Sequence, residues 1–159
     1  VGKTGMVLAP SQSDLERWGF GKRLDDERLM LAPVELLYLM GKGIIELRKD
    51  GIPVRNDEYF ALAGDADSEL AEKDKVYTEL RGHNFTPRTG YKFGHHFRVY
   101  CGRNVHSDML VHAVEKETSL PMSAISRSVR MAHSVKKKML FGAVHTKGIQ
   151  FVEFARIKL

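Results

Sequence analysis

A tyrosine, a histidine and a run of lysines lie in the most basic part of this 159-residue sequence. Cleavage of RNA without a metal needs a base for the 2′-OH proton, an acid for the leaving 5′ oxygen, and a cation beside the phosphorane. Tyr100, His106 and one of the lysines at 136–138 can supply these roles. A tyrosine is a poor base near neutral pH unless a cation lies nearby, whereas an imidazole suits proton donation there.

Three ordered motifs surround these residues: KFGHHFRVY, then HSDMLVH, then RMAHSVKKKMLF. They resemble the catalytic domain of the archaeal tRNA-splicing endonucleases, whose pattern reads roughly KFGxDFRVY, HSxYLV and RxAHSVRKxLxxA. Upstream, LAPVELLYLMGKGIIEL resembles the amino-terminal domain of that family, so the resemblance extends from about Leu29 to the end. Aligning SVKK with SVRK selects Lys137 as the cation, with Tyr100 as general base and His106 as general acid.

The resemblance implies a small mixed α/β amino-terminal domain followed by a restriction-endonuclease-like α/β nuclease domain. It implies cleavage of precursor tRNA at bulge-helix-bulge sites, leaving 2′,3′-cyclic phosphate and 5′-OH ends, with no cofactor. Arginines matching Arg130 and Arg156 are implied to hold substrate, because guanidinium planes stack on flipped bases. A two-fold assembly is also implied, either a homo-oligomer or a complex with a related endonuclease subunit.

Charge is distributed unevenly along the chain. From Asn84 onward there are 13 Lys and Arg against 4 Asp and Glu, a net charge of +9, whereas the preceding residues carry −4. Counterion release makes a basic surface a general binder of nucleic acid. The second half is therefore expected to contact RNA.

The remaining composition predicts a cytoplasmic protein without a signal peptide. One cysteine, Cys101, cannot form an internal disulfide, and no apolar run approaches the ~20 residues of a membrane span. The sequence begins at Val1 instead of a methionine, so we expect a piece of a longer polypeptide. The family resembled includes fused polypeptides with several units.

Local patterns predict two domains, 1–82 and 83–159. Before the boundary we expect a strand at 6–9, helices at 32–42 and 68–81, and a hairpin of strands 44–47 and 52–54. Beyond the boundary the apolar period changes to two. It predicts strands at 97–100, 110–114, 140–144 and 149–154, with a helix at 121–133 that turns Ile125, Val129 and Ala132 to the core.

The seven histidines do not suggest a metal site. His95 and His96 would point to opposite faces if they lie on a strand, and His133 is expected to pack or cap at a helix end. A metal-dependent nuclease would need clustered carboxylates, and the basic half has only Asp108, Glu115, Glu117 and Glu153. Two classes other than metal-free cleavage stay open: a non-catalytic RNA-binding subunit, and a metal-dependent nuclease.

The carboxyl-terminal tail, GIQFVEFARIKL, predicts an assembly surface. Ile149, Phe151 and Phe154 are too apolar for a free edge strand, which invites pairing with a second copy or a related subunit. Acidic residues at 65–67 or 115–117 are candidates for docking against a neighbouring basic domain.

Overall fold

The chain folds as two units of mixed α/β structure, and the computed structural model describes residues 10–90, 94–102 and 105–157. The predicted strand at 6–9 and the last two residues of the tail lie outside this part of the chain. The first unit ends at Asp74 and the second begins at Lys75. The division falls inside a helix, before the boundary predicted at residues 82–83.

The first unit packs short helices beside two small antiparallel hairpins. Its elements are α1 (Gln12–Arg17), β1 (Lys22–Arg23), β2 (Leu29–Met30), α2 (Pro33–Gly41), β3 (Leu47–Lys49), β4 (Ile52–Val54) and α3 (Asn56–Gly64). The Glu35 side chain is buried and accepts hydrogen bonds from the backbone N–H groups of Gly21 and Ala32, at 3.1 and 2.8 Å. These bonds satisfy a buried carboxylate and attach α2 to the preceding hairpin.

The second hairpin begins later than the sequence pattern predicts. Asp50 and Gly51 both adopt positive φ angles, 52° and 79°, in the two-residue turn between β3 and β4. Such turns match the twist of the flanking strands, so they determine which residues pair. Lys49 therefore pairs with Ile52, and β3 occupies 47–49 instead of 44–47.

The second unit is a five-stranded sheet with order β5-β6-β7-β8-β9. Its strands are β5 (Phe85–Thr89), β6 (Phe97–Cys101), β7 (Met109–Glu115), β8 (Lys138–His145) and β9 (Gly148–Phe154). Only β7 and β8 are parallel, and α5 (Met122–Ser134) makes the crossover between them. The parallel pair brings the starts of β7 and β8 to the same end of the sheet as the finish of β6.

Each face of this sheet has its own apolar packing. On one face Tyr77, from the helix α4 (Leu70–Gly82), lies 5.8 Å from Phe97 between ring centres. A Cβ on Gly142 would come to 3.0 Å from the Val76 side chain, so a larger residue would require α4 and β8 to move apart by a few tenths of an ångström. On the opposite face Ala132 of α5 packs in a buried cluster with Leu110, Met139 and Phe141.

The predicted fold class, a small mixed α/β domain followed by a second α/β domain, is confirmed. The strands predicted at 97–100, 110–114, 140–144 and 149–154 form β6 to β9, and the helix at 121–133 forms α5. β5 was not predicted, because its central Pro87 lacks the N–H that an interior strand needs. In the part of the chain that the structure describes, no helix is long and apolar enough to cross a membrane.

Candidate active site

An open cleft of about 1330 Å³ lies at the end of the sheet where α5 finishes and β8 begins. Two of the predicted catalytic residues, His106 and Lys137, line it. Its other lining residues include Asp108, His133 and Lys136. Basic groups are therefore concentrated in one concave site.

Lys137 is held at the junction between α5 and β8. Lys136 adopts a left-handed backbone with φ of 57°, and the N–H of Lys137 donates to the Ala132 carbonyl at 2.9 Å. The Lys137 ammonium group, half-buried, donates to the main-chain carbonyl of Ser107. An ammonium group has three donors, so this bond fixes its position while leaving capacity for phosphate oxygens.

His106 precedes β7 in the segment that Lys137 contacts. Its side chain is exposed, whereas the adjacent Ser107 is buried. One main-chain carbonyl, that of Ser107, thus connects the lysine to the residue beside the histidine. An exposed imidazole beside a fixed ammonium group is suited to proton donation at a phosphate.

The pairing of β6 with β7 places Tyr100 at the same end of the sheet. Val99 pairs with Met109, so the next residue of β6 lies beyond the last β6–β7 pair, beside the segment that carries His106. The half-buried Tyr100 ring has the guanidinium carbon of Arg98 at 5.9 Å from its centre. Arg98 thus places a positive charge near the face of the Tyr100 ring.

Arg130 and Arg156 line a second groove, of about 510 Å³, between α5 and the end of β9. Both arginines are exposed, and the wall between them includes Phe154 and Val129. The structure therefore brings together the two arginines expected to hold substrate. An apolar wall flanked by two guanidinium groups is suited to a stacked base.

The packing expected of His133 is wrong, and the condition set for His95 and His96 is not met. His133 does not pack at the end of α5: Ala132 points to the core, and the next residue, about 100° around the helix, is exposed in the cleft. His95 and His96 do not lie on a strand: they follow Gly94, with φ of 67°, in a turn before β6. Their ring centres lie 5.9 and 4.0 Å from that of His112.

His95 and His96, which precede β6, form a partly buried cluster with His112 of β7. His96 Nδ1 accepts a hydrogen bond from the backbone N–H of Ala113 at 3.0 Å. Burial, and then the charge of His112, lower the pKa of His95 to about 4. His95 is therefore uncharged at neutral pH, and its ring and that of His96 both contact the ring of His112.

Sequence reasoning missed three residues that support the site: Arg98, Ser107 and Asp108. Arg98 could have been found from the sequence, because residues two positions apart on a strand share a face and Tyr100 follows Arg98 by two. The carboxylate of Asp108 accepts a hydrogen bond from the Cys101 backbone N–H at 2.8 Å, and Glu153 pairs with Lys138 at 3.2 Å. Two of the four carboxylates considered for a metal are thus engaged in other contacts.

Comparison with family models gives matches in both halves of the chain. The family model described as "tRNA intron endonuclease, catalytic C-terminal domain" matches residues 70–151, and the corresponding N-terminal domain model matches residues 2–60. The chain belongs to the tRNA intron endonuclease family. The matched catalytic domain contains Tyr100, His106, Lys137 and Arg130.

Curated archaeal members of this tRNA intron endonuclease family are similar along most of the chain. A protein named tRNA-splicing endonuclease from Methanococcoides burtonii is 33% identical over 94% of this chain, and one from Methanosarcina barkeri is 38% identical over 94%. The chain spans 44% of the length of each of these two relatives. A third, from Thermococcus gammatolerans, is 36% identical over 79% of this chain and 74% of its own length. The predicted family is confirmed.

Proposed function

We propose that this chain is the catalytic unit of a tRNA-splicing endonuclease that cleaves precursor tRNA at bulge-helix-bulge sites. The observation that carries the proposal is the cleft that His106 and Lys137 both line, at the end of the sheet where Tyr100 is the penultimate residue of β6. This cleft belongs to the half of the chain with a net charge of +9. The relatives are named for the same activity.

The proposed reaction is an internal transesterification without a metal. Tyr100 removes the proton of the 2′-OH, the 2′ oxygen bonds to phosphorus, and the bond from phosphorus to the 5′ oxygen breaks. His106 donates a proton to that departing oxygen, so the products are a 2′,3′-cyclic phosphate and a 5′-OH. Lys137 stabilises the negative charge of the phosphorane from its fixed position on the Ser107 carbonyl.

Arg130 and Arg156 are proposed to hold a nucleotide displaced from a bulge. Bulged nucleotides can be splayed out and aligned for attack, which paired nucleotides in an A-form helix cannot. Phe154 is an aromatic residue in the wall of the groove that the two arginines line. The helix α5, which forms another part of that wall, ends at the cleft. Substrate holding and cleavage would then use neighbouring parts of one helix.

We also propose that the chain works as a two-fold assembly through β9, with a second copy or with a related subunit. β9 is the outer strand of the described sheet beside β8, and Val152 on it is 38% exposed. For docking, the acidic turn at 115–117 is preferred over 65–67. Glu115 and Glu117 are exposed, whereas Asp67 is bound by Lys73 at 2.9 Å.

A cleavage assay in EDTA with a bulge-helix-bulge RNA tests the activity. The proposal predicts cutting at both bulges and a cyclic phosphate on the 5′ fragment, which phosphatase does not remove until acid opens the ring. A fully paired RNA of the same sequence composition is the control. An inert RNA-binding subunit would bind without cutting, and a metal-dependent nuclease would cut only when Mg²⁺ is restored.

A further inference from the structure

Asp108, which lines the cleft, bonds to the end of β6 and to the start of β8. Its carboxylate accepts the Cys101 N–H at 2.8 Å, and its own N–H donates to the Val99 carbonyl at 2.8 Å. Its carbonyl accepts the N–H of Lys138 at 3.1 Å. Asp108 therefore contacts the residue before Tyr100, the residue after it, and the start of β8.

The side chain of Asp108 acts where the strand ladder has ended. The last residue pair between β6 and β7 is Val99 with Met109, so Tyr100 and Cys101 extend past β7. On that side of β6, the carboxylate supplies the next hydrogen bond to the main chain. A bond from a main-chain N–H to a carboxylate is charge-assisted and is about twice as strong as a neutral one.

We infer that Asp108 is a positioning residue of the triad, holding the end of β6 so that Tyr100 faces the phosphate that His106 and Lys137 contact. The inference rests on the proposed function. Asp108 follows His106 by two residues and Ser107, whose carbonyl holds Lys137, by one. Its carboxylate therefore joins the base to the segment that sets both the acid and the cation.

Cys101 offers a local measurement of this contact that does not depend on RNA cleavage. Burial, and then the charge of Asp108 and its hydrogen bond, raise the pKa of the Cys101 thiol, while Lys138 acts in the opposite direction. Cys101 is the single cysteine of the sequence, so alkylation reports one site. Since the thiolate is the reactive form, removing the carboxylate should speed alkylation at a fixed pH.

The experiment compares Asp108→Ala, Asp108→Asn and a charge control, Glu79→Ala on the exposed surface of α4. Single-turnover cleavage of the bulged RNA in EDTA gives the rate, filter binding gives the affinity, and iodoacetamide labelling gives the reactivity of Cys101. Asp108→Ala should lower the rate by roughly 10- to 100-fold, as expected for a misplaced catalytic group, with RNA affinity within about twofold. Asp108→Asn keeps a carbonyl acceptor and should restore most of the rate, while both variants label faster than the parent.

Each outcome separates the inference from the proposed function. If the parent does not cut, the proposed function fails and the positioning role fails with it. If the parent cuts and Asp108→Ala cuts equally fast, only the positioning role is wrong. Equal loss in Asp108→Asn and Asp108→Ala would assign the effect to charge and overturn positioning by the hydrogen bond, and so would unchanged labelling of Cys101 in both variants.

Discussion

At the scale of single residues, a main-chain carbonyl organises the candidate site. The Lys137 ammonium group is bound by the carbonyl of Ser107, which directly follows His106. A carbonyl keeps its place whatever side chain the residue carries, so substitution of Ser107 need not disturb the lysine. Under the proposed mechanism, substitution of His106 or Lys137 would instead remove a group that takes part in the reaction.

His106→Ala should lower the cleavage rate by roughly 10²–10⁴, the usual contribution of a general acid, and leave RNA affinity nearly unchanged. Lys137→Ala should slow cleavage by about 10² or more, because one fixed donor to the developing charge is lost, and should slightly weaken binding at low salt. Single-turnover rates and salt-dependent binding on the bulged RNA measure both effects.

Matched controls are available in the same domain. His83 is exposed at the end of α4 beside Glu79, and Lys147 lies in the turn between β8 and β9, at the opposite end of the sheet from Lys137. His83→Ala and Lys147→Ala should cut at parental rates. Parental rates in His106→Ala and Lys137→Ala would place the active site elsewhere.

The arginine groove makes a separate prediction about shape rather than charge. Arg130→Lys keeps the positive charge and loses the guanidinium plane, so it should weaken binding of the bulged RNA by an amount on the order of 1–3 kcal/mol. Arg127→Lys, on the same helix but outside the groove, is the control. Affinities for the bulged and fully paired RNAs measure it, and equal affinity of parent and Arg130→Lys for the bulged RNA would exclude stacking.

At the scale of elements, the parallel pairing of β7 with β8 creates the site. A parallel pair needs a crossover, and α5 supplies it, so the end of the helix and the starts of two strands converge. Their polar side chains project past the last hydrogen-bonded pairs into the cleft. An antiparallel connection at this position would send Lys137 to the far end of the sheet.

Much of this arrangement follows from periodicity and motifs, and some of it does not. The alternation of apolar residues predicts β6 to β9, and the three motifs indicate Tyr100, His106 and Lys137 as candidate catalytic residues from the sequence alone. The contact of Lys137 with a main-chain carbonyl could not be predicted from the sequence, because every residue has a main-chain carbonyl. The turn that directs His95 and His96 toward His112 depends on a positive φ at Gly94, which a period-two reading of KFGHHFRVY overlooks.

The lowered pKa of His95 in the histidine cluster should make the stability of the protein depend on pH. His95 is 8% exposed, and its pKa is lowered from 6.5 to about 4, so between these values the unfolded state binds more protons than the native state. Stability therefore falls as the pH decreases from 6.5 toward 4, by about 3 kcal/mol at most from this group.

Urea unfolding at several pH values in this range measures that loss. His95→Phe removes the titrating group while keeping a ring, so its stability should depend less on pH than that of the parent. His83→Ala removes an exposed histidine and should retain the parental dependence. The same pH dependence in His95→Phe and the parent would show that another group causes the loss.

At the scale of the whole molecule, the prediction concerns assembly. Val152→Lys places a charge on the outer strand β9, where lysine discourages strand pairing, so it should convert the proposed assembly to monomers. Light scattering at micromolar concentration measures the mass against the 18.0 kDa of one chain. Thr146→Lys, in the exposed turn before β9, is the control, and an unchanged mass for Val152→Lys would exclude pairing through β9.

The proline of β5 limits how many copies such a sheet can join. Pro87 lies at the centre of the opposite outer strand, fully buried and paired with Val99, and it has no N–H to offer a further strand. A fibre forms only if each copy has two edges available for pairing, one for each neighbouring copy. If two copies pair through β9 as proposed, and Pro87 disfavours pairing at β5, then high protein concentration should produce dimers without filaments.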